Sequence, residues 1–136
     1  MANSKTRYCS HTGLALAALA MLFAQGCHKS EVQLGAVQGK VTLDGQPLAD
    51  ATVRFIPTAG GRTAFGRTDT KGHYTMLYSA SASGALVGSM RVEITTADPD
   101  APTPTEKVPA KYNVSSELTA EVGSKSNVLD FPLTSK

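Results

Sequence analysis

Histidine, cysteine and aromatic residues are scarce in this 136-residue sequence. It has no tryptophan, two cysteines and three histidines, and its aromatic fraction is 6%. Nucleophilic catalysis needs a serine or cysteine with a base in reach. His11 and His28 lie in or next to an apolar leader, which leaves His73 as the one plausible base, and no glycine-rich elbow frames a serine. The sequence therefore predicts a protein that is not an enzyme and that carries no cofactor.

Metal-ligand spacing is also missing. Zinc needs three or four close ligands, and the sequence has neither a cysteine pair nor an H-E-x-x-H pattern. Asp69 stands near His73, and Asp44 and Asp50 flank another turn, but neither pair makes a ligand set. We expect no metal site, with Asp69 capping its own turn and His73 facing solvent. The net charge of +2 is too small to indicate a nucleic-acid partner.

Residues 1–26 have the layout of a secretory signal. No acidic residue precedes Glu31, two basic residues stand near the start, and residues 14–24 form an unbroken apolar run. The alternative is a transmembrane anchor. A helix of 11 residues would span only about 16 Å of a hydrocarbon core roughly 30 Å thick. Cleavage is therefore favoured over spanning, and we expect an exported protein.

The signal ends at Cys27 in a segment, residues 23–27, that resembles the lipobox of bacterial lipoproteins. In that pattern a small residue, here Gly26, precedes a cysteine that is acylated and becomes the first mature residue. Cys9 would leave with the signal, so no internal disulfide could form, and lipidation would use the remaining thiol. An intermolecular disulfide or a buried free cysteine are the alternatives. Residues 27–34 would then be a lipidated terminus and short tether, anchoring the protein to a bacterial membrane on its periplasmic or outer side.

Removal of the signal also changes the charge balance. Lys5 and Arg7 leave with it, so the mature part carries 11 basic and 11 acidic side chains. A formally neutral chain indicates no electrostatic steering toward anionic partners. The expected membrane partner is therefore the lipid bilayer, reached through acylated Cys27.

From residue 35 onward, apolar and polar residues alternate in short runs, which is typical of half-buried strands. Turn residues such as Asp44-Gly45 and Asp69–Gly72 separate the runs. The predicted strands are residues 37–43, 52–56, 63–68, 73–78, 90–95, 118–122 and 128–133. About seven short strands in roughly 100 residues predict an all-β protein, an antiparallel β-sandwich of immunoglobulin-like type. An open barrel is the alternative.

Two turn motifs carry a family resemblance. The segment Gly39–Val53 (GKVTLDGQPLADATV) resembles the opening hairpin of carboxypeptidase-regulatory-like domains, and Thr68–Met76 (TDTKGHYTM) is similar to the second signature of that family. Residues 108–113 and 127–133 look like a subgroup of small bacterial lipoproteins built on this domain. The resemblance covers about residues 35–134 and implies a transthyretin-like sandwich. The expected domain therefore spans residues 35–136.

Residues 96–109 stand apart, with four prolines and no apolar alternation. We call this segment the proline loop. It should be exposed and semi-extended, and loops at the end of a sandwich often hold binding determinants. The candidate partner contacts are Asp98, Asp100, Lys107, Lys111 and Tyr112. Two alternatives stay open: the loop is a plain connector, and Tyr112 packs against the core.

Together these features predict a membrane-anchored envelope lipoprotein whose sandwich is a non-catalytic binding or structural module. Its partner would be an envelope protein or polysaccharide. The alternative is an accessory domain that recognises carbohydrate or peptide for a secreted enzyme complex. A third hypothesis, a carrier of a small ligand, requires an apolar pocket that a filled sandwich of this size lacks.

Overall fold

A computed structural model of the chain describes residues 31–103 and 105–136. The predicted signal, residues 1–26, and Cys27 lie outside this part. Within it the chain forms strands and one short 3-10 turn, Ala110–Tyr112, and no helix is long and apolar enough to span a membrane. The strands are β1 (Leu34–Leu43), β2 (Gln46–Pro47), β3 (Thr52–Pro57), β4 (Ala64–Arg67), β5 (His73–Thr75), β6 (Leu77–Ser79), β7 (Ala82–Ser83), β8 (Ala85–Leu86), β9 (Gly88–Thr95), β10 (Thr119–Val122), β11 (Ser126–Val128) and β12 (Phe131–Leu133).

The strands form two packed sheets, which confirms the predicted all-β sandwich and excludes the open barrel. In the second sheet the order is β10-β9-β3-β4-β6-β7, and every pairing is antiparallel. Its centre is the long pairing of β3 with β9, from Thr52 opposite Thr95 to Pro57 opposite Met90.

The first sheet is organised around β1. Strands β8, β5 and β2 pair antiparallel with successive parts of β1. Strands β11 and β12 pair with it in parallel, with Val37 opposite Asn127 and Val41 opposite Phe131. Strand β12 ends the strand order of this sheet, so Pro132 lies in an edge strand, as its missing N–H group predicts.

The core lies between the sheets and follows the predicted alternation. Val37 and Val41 of β1, and Met90, Val92 and Ile94 of β9, are buried. Three aromatic rings join the sheets: Phe131 meets Phe55 edge-on, with ring centroids 6.1 Å apart, and stacks beside Tyr74 at 6.3 Å.

Two tight turns form as their residues predict. Asp44 and Gly45 both have positive φ, 51° and 82°, which a two-residue hairpin loop between β1 and β2 requires. Asp69 caps the second turn, because its Oδ1 accepts the N–H groups of Lys71 and His73 at 2.8 and 2.9 Å. His73 is exposed, as expected.

Two predicted strands are each divided in the structure. The run 73–78 was expected to be one strand, but β5 pairs with β1 in the first sheet and β6 pairs with β4 in the second. Met76, buried between them, marks the crossing. The last run is divided at Leu129 and Asp130 into β11 and β12. The short strands β2, β7 and β8 were not predicted, because two residues give no alternation to detect.

The sandwich has two distinct ends. At the entry end, Leu34 pairs with Leu86, and the N–H of Val87 donates to the carbonyl of Gln33 at 3.0 Å. At the far end lie the Asp44-Gly45 and Asp69–Gly72 turns, joined where Val41 donates to Gly72 at 2.8 Å. Strand β9 runs from the entry end at Gly88 to the far end at Thr95, opposite Thr52.

Candidate functional site

The proline loop leaves the sandwich at the far end, and Glu106 fastens its base. The carboxylate of Glu106 accepts hydrogen bonds from the Thr95 hydroxyl, from the N–H and hydroxyl of Thr96, and from the N–H of Val108. Burial opposes the charged form, but these hydrogen bonds outweigh it and hold the pKa of Glu106 below its usual range. The carboxylate thus joins the two ends of the loop.

Three predicted contact residues lie on this loop and are exposed, as expected: Asp98, Asp100 and Lys107. Asp98 Oδ1 accepts the N–H of Asp100 at 3.0 Å, which forms a local turn. The N–H of Lys107 donates to the Thr96 hydroxyl at 2.7 Å. The backbone is therefore held, while the Lys107 ammonium group and the Asp100 carboxylate make no hydrogen bond within the described residues.

The other two predicted contact residues, Lys111 and Tyr112, lie away from the proline loop and contact the segment after β12. The Lys111 ammonium group donates to a backbone oxygen of Lys136 at 2.6 Å and lies 5.0 Å from the Tyr112 ring centroid. The Tyr112 hydroxyl lies 3.2 Å from the hydroxyl of Thr134. Tyr112 is half-buried against the core, so the alternative that it packs there is confirmed. These bonds fix both side chains beside the segment after β12.

An open depression of about 550 Å³ lies where β4 and β5 part into different sheets. We call it the β4–β5 groove. Its apolar wall is Phe65 and Leu77, which face each other across β4 and β6 and are 48% and 50% exposed. Its polar wall includes Arg67, Asp69 and His73. A second depression of about 420 Å³ adjoins it on the other side of β5.

The polar groups of the groove are only loosely paired. Asp69 Oδ2 lies 3.9 Å from His73 Nδ1, beyond hydrogen-bond distance, and both side chains are 57% exposed. Arg67 lies 3.5 Å from the Asp50 carboxylate, with 62% of its side chain exposed. Within the described residues no three histidine, cysteine, aspartate or glutamate side chains come together to hold a metal ion.

Sequence reasoning missed this groove. The sequence predicts a strand over residues 63–68 but gives no role to Phe65. The available signal was the alternation itself, since Phe65 stands between Ala64 and Gly66, the residues that point inward. An aromatic residue in an outward position of a strand indicates an exposed ring.

A third depression, of about 540 Å³, lies between the second sheet and the returning end of the proline loop. Its floor contains Glu93, which is 13% exposed and pairs with two guanidinium groups, Arg54 at 3.0 Å and Arg91 at 2.8 Å. The Arg54 guanidinium also lies over the Phe65 ring, 5.7 Å from its centroid. Arg54 and Arg91 therefore make ion pairs on the surface of the sheet, and Arg54 also contacts an aromatic ring, so neither side chain is only solvated.

Comparison with known protein families and with curated proteins returned no match to this chain.

Proposed function

We propose that this protein is an exported lipoprotein, anchored through acylated Cys27, whose sandwich is a non-catalytic binding or structural module of the bacterial envelope. The proline loop is its contact region, and the partner is an envelope protein or polysaccharide. The resemblance of residues 35–134 to carboxypeptidase-regulatory-like domains supports the assignment of the domain.

One observation carries this proposal: the chain enters the sandwich at one end, and the proline loop leaves at the other. Leu34 follows Cys27 by seven residues, which reach at most about 25 Å. The eight residues of β9 cover about 26 Å between the ends. A lipid at Cys27 would therefore hold the entry end near the bilayer and leave the loop facing away from it.

The fastened base of the loop supports a contact role. A loop whose ends are joined by Glu106 loses less conformational freedom when a partner binds than a free segment would. Its exposed charges are of both signs, Asp98 and Asp100 against Lys107, so the expected partner surface is mixed rather than strongly charged.

The anchoring is tested by labelling cells with radioactive palmitate. We expect the wild type and Cys9→Ala to incorporate label equally, because Cys9 would be removed with the signal. Cys27→Ala should incorporate none and should leave the membrane fraction. Label that persists in Cys27→Ala overturns the anchoring.

The contact region is tested by placing a photo-crosslinking residue at position 100, on the loop, or at position 125, near the entry end. In intact cells we expect position 100 to give a discrete adduct that is absent when Asp98 and Lys107 are both changed to alanine. Adducts only from position 125 place the contact elsewhere and contradict the proposal.

A further inference from the structure

The β4–β5 groove has one apolar wall and one polar wall. One wall is apolar and exposed: Phe65 and Leu77 stand opposite each other on neighbouring strands, and about half of each is open to solvent. Large exposed apolar patches rimmed by polar groups mark binding sites, and this pair has the same arrangement on a smaller scale. The Arg54 guanidinium lies over the Phe65 ring from the β3 side, so the ring is braced while it also lines the groove.

The opposite wall offers hydrogen-bonding groups with spare capacity. Asp69 uses Oδ1 for its turn, and its Oδ2 makes no hydrogen bond within the described residues. The His73 ring is likewise unpaired there, since its separation from Asp69 is 3.9 Å. The backbone bonds at Asp69 fix the carboxylate in place. The wall therefore presents a fixed hydrogen-bond acceptor, Asp69 Oδ2, beside an imidazole that can donate or accept a hydrogen bond.

The charge of the groove is close to balanced. Arg67 is opposed by Asp69 within the groove and by Asp50 at 3.5 Å. A strongly anionic ligand would meet the Asp69 carboxylate, and a cationic one would meet the Arg67 guanidinium. A neutral ligand with many hydroxyl groups is the best match, because it needs acceptors and donors but no counter-charge.

We propose that the β4–β5 groove binds a neutral saccharide. The apolar face of one pyranose ring packs on Phe65 and Leu77, and its hydroxyl groups bond to Asp69 Oδ2 and the His73 ring. This goes beyond the proposed function, because it gives the module a second site, with its own ligand class, between β4 and β5 and separate from the proline loop. It does not depend on Cys27.

The test measures binding of defined oligosaccharides by calorimetry. The full chain is purified in a detergent without a sugar headgroup. The probes are two neutral hexasaccharides, cellohexaose and chitohexaose, and one acidic one, hexagalacturonate. We expect saturable binding of a neutral probe. Phe65→Ala should weaken it about tenfold or more, and His73→Ala about fivefold.

Two further variants give the test its controls. Phe65→Trp keeps an aromatic surface and should retain binding, which separates stacking from a general change in the sheet. Val114→Ala removes an apolar side chain that is 83% exposed and lies in the depression beside the proline loop, and it should have no effect.

The proposal is overturned by any of three results: neither neutral hexasaccharide binds, only the acidic one binds, or binding survives Phe65→Ala. If binding survives Phe65→Ala but is lost in Val114→Ala, the site lies in the depression beside the proline loop instead. Palmitate labelling of Cys27 and photo-crosslinking from position 100 are separate measurements. A failure of saccharide binding therefore does not contradict the anchoring or the contact region.

Discussion

The Tyr74 hydroxyl donates a 2.5 Å hydrogen bond to the carbonyl of Leu129, where the last part of the first sheet is divided between β11 and β12. Tyr74 is 3% exposed, and its burial raises the pKa of the phenol. The bond thus joins β5 to the junction of β11 and β12 inside the sandwich. It passes over Gly39 of β1, which has no side chain to block it.

Tyr74→Phe should lower the free energy of unfolding by about 1–2 kcal/mol, because it leaves the Leu129 carbonyl without this donor while the ring still packs. Denaturant unfolding measures the change. The control is Tyr78→Phe, since the half-buried Tyr78 makes no hydroxyl hydrogen bond within the described residues. Equal losses in both variants would contradict the role given to the bond.

Gly39 is required because the Leu129 carbonyl and Tyr74 occupy the space of a side chain. A Cβ at Gly39 would lie 1.9 Å from the Leu129 oxygen and 3.0 Å from the Tyr74 hydroxyl. Gly39→Ala should therefore destabilise the fold by about 3 kcal/mol or more. At Gly123 the nearest atom to a Cβ is 3.4 Å away, so Gly123→Ala is the matched control and should change thermal stability little.

The base of the proline loop should weaken in acid. The hydrogen bonds that the Glu106 carboxylate accepts hold its folded pKa below the usual value of a glutamate, so its stabilising contribution is present above that usual value and is lost as the pH falls through the folded pKa. Amide exchange of Thr96 and Val108, corrected for intrinsic rate, should lose protection as the pH falls below the usual pKa range of a glutamate.

Glu106→Gln tests whether the loss of amide protection in acid is caused by Glu106. It has no ionisable carboxylate, but its amide oxygen can still accept the N–H groups of Thr96 and Val108, so protection of both amides should not change over this pH range. Glu121→Gln, at an exposed strand position, should behave as the wild type. An unchanged acid transition in Glu106→Gln would show that another group causes it.

Glu93 should contribute more to stability than an ordinary surface carboxylate. It is 13% exposed and holds two guanidinium groups, and Arg54 Nε is already buried without a partner within the described residues. Glu93→Ala should cost about 1–3 kcal/mol in chemical unfolding, since it leaves Arg54 unpaired. Glu117→Ala, at an exposed carboxylate without an ion pair there, should stay within about 0.5 kcal/mol of the wild type.

The alternation of residues predicted which side chains face the core, but not which strands become neighbours. Val53 and Phe55, or Met90, Val92 and Ile94, could be placed inward from spacing alone. Period-2 alternation is the same whether a strand stays in one sheet or crosses to the other. For that reason the division at Met76 and the parallel pairing of β1 with β11 and β12 were not predicted.

The candidate site was predictable only in part. Four prolines indicated the loop, and Asp69 and Gly72 indicated the turn beside the groove. The hydrogen bonds of Glu106 form because the chain returns to Thr95 and Thr96 about ten residues later. No local sequence pattern predicts that return. The groove arises because β4 and β5 separate, so it is a property of sheet topology rather than of any motif.

The pairing of β1 with β11 and β12 has a consequence for synthesis. The N–H of Lys40 donates to the Asp130 carboxylate, a contact that spans 90 positions of the chain. A nascent polypeptide that has reached only the proline loop lacks the material to complete its first sheet. Residues 126–133 must be present before β1 gains its second neighbour, so the two-layer structure closes late, and a chain truncated before residue 126 would leave one edge of β1 without a partner strand.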